Sequence, residues 1–477
     1  MIRLDLMKTR SATSLLSLAA AAAGVTLLWL GGRGPAASVA RVRQQPATSA
    51  TACGPPHYCA RTDRKTVTYP DTPPALVAAG ASITDPAFGS RIVRVTDASM
   101  APRGQSMETP ASSEQNAWNT TSTAFYVDDA GSGYHVFNFD PKGMTSEPNG
   151  DRLAGWHSEP DFSYSQPGVL YGIDSRSGVL QQFDVNSHKF SSINDPSKCV
   201  HLAPSDRGGD ISVTADDSRL MTVFGPEQDR NTLVYIYDQK QGCRWYNTET
   251  GEVGGQWGKR GAIDSPYRFG IHNARLSKSG DFVAITAGSN LGGTAIWEVT
   301  TANVMLCANA ALNCGGHRAL GYSHLLNSAD SRHPLDFVIR PLGDLKSITH
   351  IVEPLPERPT PSNWYDYHLS WNYIRPQDNT PACFSTYRSD NPAGKGLAPR
   401  VLGPWENEID CVETDGRAST IWRFAHTYST ARNGFWSSPR GNVSQDGRFY
   451  MFTSDWEDEL GRARQQYRTD VFIVQLR

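Results

Sequence analysis

The sequence has no CxxC pair, no GxSxG elbow, no P-loop, and no GxGxxG run between a strand and a helix. These absences remove the zinc ribbon and thioredoxin-like redox site, the serine-hydrolase elbow, and the phosphate cradles of nucleotide-binding folds. HExxH and EF-hand spacings are missing too, so no metal motif stands out. Charge is sparse, at 19% of residues, and nearly balanced, with 45 basic residues against 48 acidic. A formal −3 gives no electrostatic footprint for nucleic acid or an anionic membrane surface. Helical periodicity is nearly missing after residue 80. In its place, short runs of Val, Ile, Phe, Tyr and Thr alternate with Gly, Asp, Asn and Ser turns, the signature of an antiparallel all-β chain.

The N-terminus reads as an export signal. Arg3, Lys8 and Arg10 precede an uncharged stretch from Ser11 to Gly32 that carries Leu15-Leu16-Ser17-Leu18, an alanine run and Leu27-Leu28-Trp29-Leu30. Ser38-Val39-Ala40 offers a small-x-small cleavage site, so residues 1–40 are assigned to a signal peptide. An uncleaved anchor is the alternative for so long a stretch. Removing residues 1–40 takes away Arg3, Lys8, Arg10, Arg33 and Asp5 and leaves a formal −6. The eight cysteines are Cys53, Cys59, Cys199, Cys243, Cys307, Cys314, Cys383 and Cys411. An even number behind such a leader favours disulfides, and pairing in sequence order is expected because each successive pair lies in one segment or in neighbouring ones. The protein is therefore expected to be secreted or periplasmic and monomeric, with no nucleic-acid partner and no membrane contact beyond the leader. Residues 41–80, rich in Pro, Ala and Thr, read as a linker or disordered arm.

About 435 mature residues exceed one ordinary core, and the sequence grows by repetition. An apolar residue followed by Asn, Ser or Thr recurs seven times, each copy leading through a turn into a second apolar strand. The copies are Trp118-Asn119, Phe162-Ser163, Val213-Thr214, Leu276-Ser277, Leu326-Asn327, Trp371-Asn372 and Val443-Ser444. Four-stranded blades take about 40 to 50 residues, so seven copies predict a seven-bladed β-propeller over residues 81–477. The strand at Ser90-Arg91-Ile92-Val93-Arg94-Val95, which lacks a local partner, would complete the last blade and close the ring. A run of β-meanders in two sandwich domains is the competing architecture. Asn119-Thr120-Thr121 and Asn442-Val443-Ser444 match a glycosylation sequon, but both fall on expected inner strands.

In a propeller the first strand of each blade lines the channel. Counting back from each anchor reaches Glu114-Gln115, Ser158-Glu159, Gly209-Asp210, His272-Asn273, Tyr322-Ser323 with His324, Tyr367-His368 and Pro439-Arg440. Aromatic residues cluster just before several of these points, as in Trp156-His157, Tyr267-Arg268-Phe269, Trp364-Tyr365, Trp422-Arg423-Phe424-Ala425-His426 and Phe435-Trp436. Aromatic faces beside hydrogen-bonding groups suit a sugar, and Arg or His beside them suits a uronate carboxylate. His368, His324, Tyr367, Arg440, Glu159 and Asp210 are thus the catalytic candidates. Gln115, His157, Arg268, Asn273, Trp364, Arg423, His426 and Trp436 are the candidates for substrate contact. His272, His324 and His368 could together hold a divalent metal such as Mn or Ca. Each also has a plain structural alternative: the histidines bonding neighbouring blades, the acids pairing with Arg268 or Arg440, and Trp118 and Trp371 filling the core.

The segments Leu276-Ser277-Lys278-Ser279-Gly280-Asp281 and Val443-Ser444-Gln445-Asp446-Gly447-Arg448 resemble the S-x-D-G-type turns of secreted bacterial WD40-like and TolB-like propellers. A narrower resemblance, resting on His272, His324 and His368 at the expected channel mouth, is to propeller-fold polysaccharide lyases of the oligogalacturonate and ulvan lyase type. It implies β-elimination from a uronate-containing polysaccharide, with Arg440, Arg268 or a metal neutralising the carboxylate. His368, His324 or Tyr367 would then move the proton. Hydrolysis through Glu159 and Asp210 is a variant. The alternative is a non-catalytic extracellular propeller that binds a glycan or a protein through the same face.

Overall fold

The computed structural model describes residues 53–477 apart from 68–69, 71, 102–103, 131–132, 157, 264–267, 289–292, 308–313, 315–316, 329–335, 353–364, 389–403, 417–419, 432–433 and 464–465. The expected signal segment and two candidate site residues, His157 and Trp364, lie outside the described residues. What is described belongs to one compact unit, Ala52–Arg477.

Among the described residues the strand-and-turn pattern produces seven antiparallel blade sheets and one short hairpin, Arg462–Ala463 with Gln466–Tyr467. Blade 1 comprises Ala124–Asp128, Tyr134–Asp140 and Thr145–Arg152, with a Trp118–Phe125 bridge on its inner side. Blade 2 runs from Asp161–Phe162 outward to Lys189–Asn194, and blade 3 starts at Arg207–Val213. The inner strands of blades 4, 5 and 6 are Ile271–Leu276, Arg318–Leu320 and Tyr365–Ser370. Blade 7 is built from Gly441–Val443, Phe449–Ser454 and Asp470–Gln475. Arg91–Arg94 pairs with this last strand (Ile92 opposite Val474), and Ser82–Thr84 lies beyond it.

The seven sheets form a ring because each packs on its neighbours through buried apolar side chains. Trp118, Phe125 and Phe162 join Phe449 and Ile473 in one cluster spanning blades 7, 1 and 2. Further clusters link blades 2 and 3 (Tyr171, Val213), 3 and 4 (Tyr246, Trp297), 4 and 5 (Ile296, Leu325), 5 and 6 (Phe337, Trp371), and 6 and 7 (Trp422, Phe452). The fold is a seven-bladed β-propeller. Trp118 and Trp371 are fully buried, as their core reading required, and so are the two sequon asparagines Asn119 and Asn442.

The turn motif works through its acid. In Ser444-Gln445-Asp446-Gly447 the Asp446 carboxylate accepts from the Ser444 hydroxyl (2.7 Å) and the Arg448 N–H (3.1 Å). Gly447 takes φ +71°, which favours glycine. Blade 5 breaks this pattern. Leu326-Asn327, read from the sequence as its inner anchor, belongs to its second strand, His324–Ser328. The true inner strand ends at Leu320-Gly321, and the carboxylate that organises its turn comes from blade 6. Asp378 accepts the N–H groups of Tyr322 (2.5 Å) and Ser323 (2.8 Å).

The disulfides pair in sequence order: Cys53–Cys59, Cys199–Cys243, Cys307–Cys314 and Cys383–Cys411. Among the described residues no helix is long and apolar enough to cross a membrane. Part of the stretch read as a linker lies against blades 6 and 7. Tyr58 is buried against Trp422 and Phe424 and donates to the Gly447 carbonyl (2.7 Å). Arg61 bridges Arg423, whose guanidinium donates to the carbonyls of Asp63 (2.9 Å) and Lys65 (2.7 Å). Arg423→Ala is expected to free this strap, seen as faster amide exchange at residues 57–66 with the inner strands unchanged. Unchanged exchange in the strap would refute the anchoring role.

Candidate functional site at the channel mouth

A cavity of about 500 Å³ opens where the inner strands begin, and all seven blades contribute to it. Its walls include Ser112 and Glu114 of blade 1, Glu159, Asp210, His272 and Asn273 of the next three, His317 and Arg318 of blade 5, His368 of blade 6, and Phe435 and Trp436 before blade 7. Two irregularities in the ladders aim side chains into this space. The register of blade 3 slips between Gly209 and Ser212, where Asp210 takes φ +46°; that of blade 4 slips between Ile271 and Asn273, at His272.

The cavity is lined by three acids, Glu114, Glu159 and Asp210, and two of them, Glu159 and Asp210, hold their protons tightly. Burial pushes Glu159 up to about 7, against the Ala111 and Ser112 N–H groups that its carboxylate accepts. Asp210 is pushed up to about 6 by burial, despite the nearby Arg275 and the Ala274 N–H at 3.1 Å. His368 is held well below the ordinary histidine range by burial first, then by His317 and Arg440, so its imidazole is neutral. It stacks on His317 (centroids 4.1 Å apart), and its Nε2 lies 3.2 Å from the Tyr387 hydroxyl. His317 in turn faces Asp366 at 3.3 Å. Burial would raise Asp366, but the His317 hydrogen bond and charge hold it below the usual carboxylate value.

Phe435 and Trp436 form an exposed aromatic shelf, 41% and 51% accessible in a protein whose other large aromatics are mostly buried. Arg440 supports it from below, with its guanidinium 4.6 and 5.0 Å from the two ring centroids. Beneath the cavity Arg275 plugs the channel. It donates to Asp161 (3.1 and 3.3 Å), the Gln115 side chain (2.7 Å), and the carbonyls of Glu114 (3.0 Å) and Ile211 (2.5 Å).

Of the candidates read from sequence, the structure brings together Glu159, Asp210, His272, Asn273, His368 and Trp436. The others it places elsewhere. His324 follows the far end of the blade 5 inner strand and lines a different cavity, because the anchor of that blade was taken one strand too late. Tyr367 points between blades 5 and 6, packed on Phe337, with its hydroxyl bonded to the His317 carbonyl (3.2 Å); alternation along the strand sends it away from His368. Arg440 is fully buried and paired with Glu108 at 2.5 Å, so it is not available to a substrate carboxylate. Gln115 is buried, its amide donating to three carbonyls. Arg423 and His426 lie on the outermost strand of blade 6, Arg423 in a bidentate pair with Glu408 and His426 buried beside Phe88. Arg268 is exposed near Gly251, on a turn between outer strands of blade 3. Sequence reasoning missed His317 and Arg318, which counting back from Leu320 would have found.

The proposed metal trio does not assemble. His272 pairs with Asp229 at the rim, His324 with Asp378, and His368 with Tyr387. Among the described residues no three His, Cys, Asp or Glu are arranged to hold a metal ion. The three histidines therefore do not form a common site for Mn or Ca.

Fold and site define a β-propeller with an acidic, aromatic-edged pocket at one mouth. No family model and no curated protein matches the sequence. Among solved structures, the chain is similar to an oligogalacturonate lyase from Vibrio parahaemolyticus, with 10% identity, a TM-score of 0.49, and coverage of 83% of this chain and 98% of that one. It is also similar to an oligogalacturonate lyase in complex with manganese (11%, 0.45, 84% and 99%) and to the RRP9 WD40 repeats (10%, 0.46, 84% and 100%). The propeller assignment rests on the strand pairing and packing described above.

Buried acids elsewhere contribute to the pH response of the fold. Burial pushes Asp455 and Glu408 up to about 7 each. Both bind protons more tightly folded than unfolded, so their contribution is complete below about pH 4 and is lost as pH rises through about 7. Their share of the stability therefore falls from pH 5 to pH 8, by on the order of 3 kcal/mol for each group, while His368 and His426, which burial holds below the ordinary histidine value, shift stability the other way across the same window. Asp455→Asn should flatten that slope. A difference in melting temperature between Asp455→Asn and the parent that does not change from pH 5 to pH 8 would contradict the assignment.

Proposed function

We propose that this is an exported propeller whose mouth cavity binds a sugar of a neutral or amine-bearing polysaccharide and hydrolyses its linkage. Export is supported by the leader-like N-terminus and the four disulfides. The observation that carries the hydrolytic reading is two carboxyl groups in one cavity, Glu159 and Asp210, held to about 7 and about 6. Glu159, the tighter acid, gives its proton to the glycosidic oxygen as that bond breaks. Asp210 takes a proton from the water whose oxygen attacks the anomeric carbon. The C–H face of the sugar rests on Trp436 and Phe435.

A second reading, β-elimination from a uronate, is favoured by one contact. The neutral His368 imidazole beside the Tyr387 hydroxyl pairs a base with an acid. Its weakness is charge. Glu114, Glu159 and Asp210 face the cavity, and the one arginine among the described lining residues, Arg318, is buried and donates to Asn273 and Thr286.

Hydrolysis predicts a bell-shaped kcat/KM. Activity falls as pH drops through about 6 and Asp210 protonates, and falls again as pH rises through about 7 and Glu159 ionises. A rate that keeps rising above pH 8 would rule out Glu159 as the acid. Trp436→Ala should weaken oligosaccharide binding, measured by calorimetry, by about tenfold or more. Unchanged affinity would remove the shelf from the account.

A further inference from the structure

We infer a second binding site, for a neutral saccharide, in the groove between blades 5 and 6 on the face of the propeller opposite the mouth cavity. There a cavity of about 360 Å³ lies between blades 5 and 6, lined by His324, Ile339, Thr349, Gln377, Asp378 and Asn379 among others. That volume is within the range of small-ligand sites. The inference does not rest on the reading of the mouth.

The site is built around one carboxylate. Asp378, from the loop between the first two strands of blade 6, takes φ +51° and enters the turn of blade 5. It fits because residue 321 is glycine: a Cβ there would meet the Asp378 carboxylate at 2.1 Å. Its oxygens accept from the N–H groups of Tyr322 and Ser323, the Ser323 hydroxyl (3.2 Å), and Nδ1 of His324 (2.9 Å). The carboxylate places the imidazole proton on Nδ1 and leaves Nε2 as an acceptor. His324 is 31% accessible and lines the cavity.

This is not a nucleophilic triad. Ser323 and Asp378 both approach Nδ1 of His324, the serine at 3.0 Å, so the imidazole cannot relay a proton from that hydroxyl through Nε2. What remains is recognition. No lysine or arginine is among the described lining residues, which disfavours an anion. Asp378 is already satisfied by four donors and Asp415 is also partnered, which removes the pull for a cation. An imidazole acceptor, two side-chain amides and a threonine hydroxyl beside the apolar Ile339 match alternating hydroxyl groups and a C–H face.

The test is imidazole ¹⁵N NMR of the protein, with His324 assigned by comparison with His324→Gln, during titration with neutral gluco-, xylo-, manno- and galacto-oligosaccharides. Saturable movement of the His324 Nε2 signal is expected with at least one of them. It should persist in Trp436→Ala and need about tenfold more ligand in Asn379→Ala. A His324 signal unmoved across the panel would overturn the site. So would movement that vanishes in Trp436→Ala, since the signal would then report the mouth cavity. Failure of the mouth reading alone would show as lost turnover with the His324 response intact.

Discussion

Glu159→Gln is expected to lower turnover of the susceptible polysaccharide by about 10²- to 10⁴-fold with little change in substrate affinity. The substitution keeps the shape of the side chain and leaves one oxygen to accept the Ala111 N–H, at the cost of the long contact (3.3 Å) that the second oxygen makes with the Ser112 N–H. What it removes is the proton that burial keeps on Glu159 up to about pH 7. Because the group acts on a leaving oxygen, the loss should be smallest on substrates with activated leaving groups that need no proton. Asp210→Asn should fail on both kinds of substrate, since water activation is needed in each case. Steady-state kinetics on the two substrate types would separate these roles. An equal loss on both in Glu159→Gln would remove the acid assignment, and full activity would move the chemistry away from this residue.

Arg275→Met should be the most damaging single change to the fold. Arg275 links blades 1, 2 and 3 from its place on the inner strand of blade 4, and it is the cation facing the fully buried Asp161. Breaking a buried pair on one side costs about 3–5 kcal/mol, because the remaining charge keeps its desolvation penalty without its partner. Asp161→Asn in the same chain should recover part of that loss by removing the stranded charge. Urea unfolding of the three proteins would show it. A stability within 1 kcal/mol of the parent for Arg275→Met would mean that the plug does not hold the ring.

The seven blades were legible because their turns are local. Ser444 and Asp446, or Thr214 and Asp216, satisfy the backbone within a few residues, so the motif is written in consecutive letters. Blade 5 was misread because its turn borrows Asp378 from the next blade, which no local window contains. That slip moved the expected site from His317 to His324 and created a histidine trio that the fold separates. Glu159, Asp210 and His368 were found by counting from correctly placed anchors, and Trp436 from the aromatic pair that precedes Arg440. Arg440 and Arg423 were misjudged because a sequence shows charge but not the partner that absorbs it. Glu108 meets Arg440 only when the ring brings blades 1 and 7 together, and Glu408 meets Arg423 across the two outer strands of blade 6.

The central claim is acid–base cleavage of a non-uronate glycan at the mouth, and product analysis tests it most directly. The protein would be incubated with neutral, amine-bearing and uronate polysaccharides, and the products weighed by mass spectrometry. The account predicts saturated oligosaccharides carrying one added water from a neutral or amine-bearing polymer, absent with Glu159→Gln. Unsaturated, ultraviolet-absorbing ends released from a uronate polymer would contradict it and establish elimination instead.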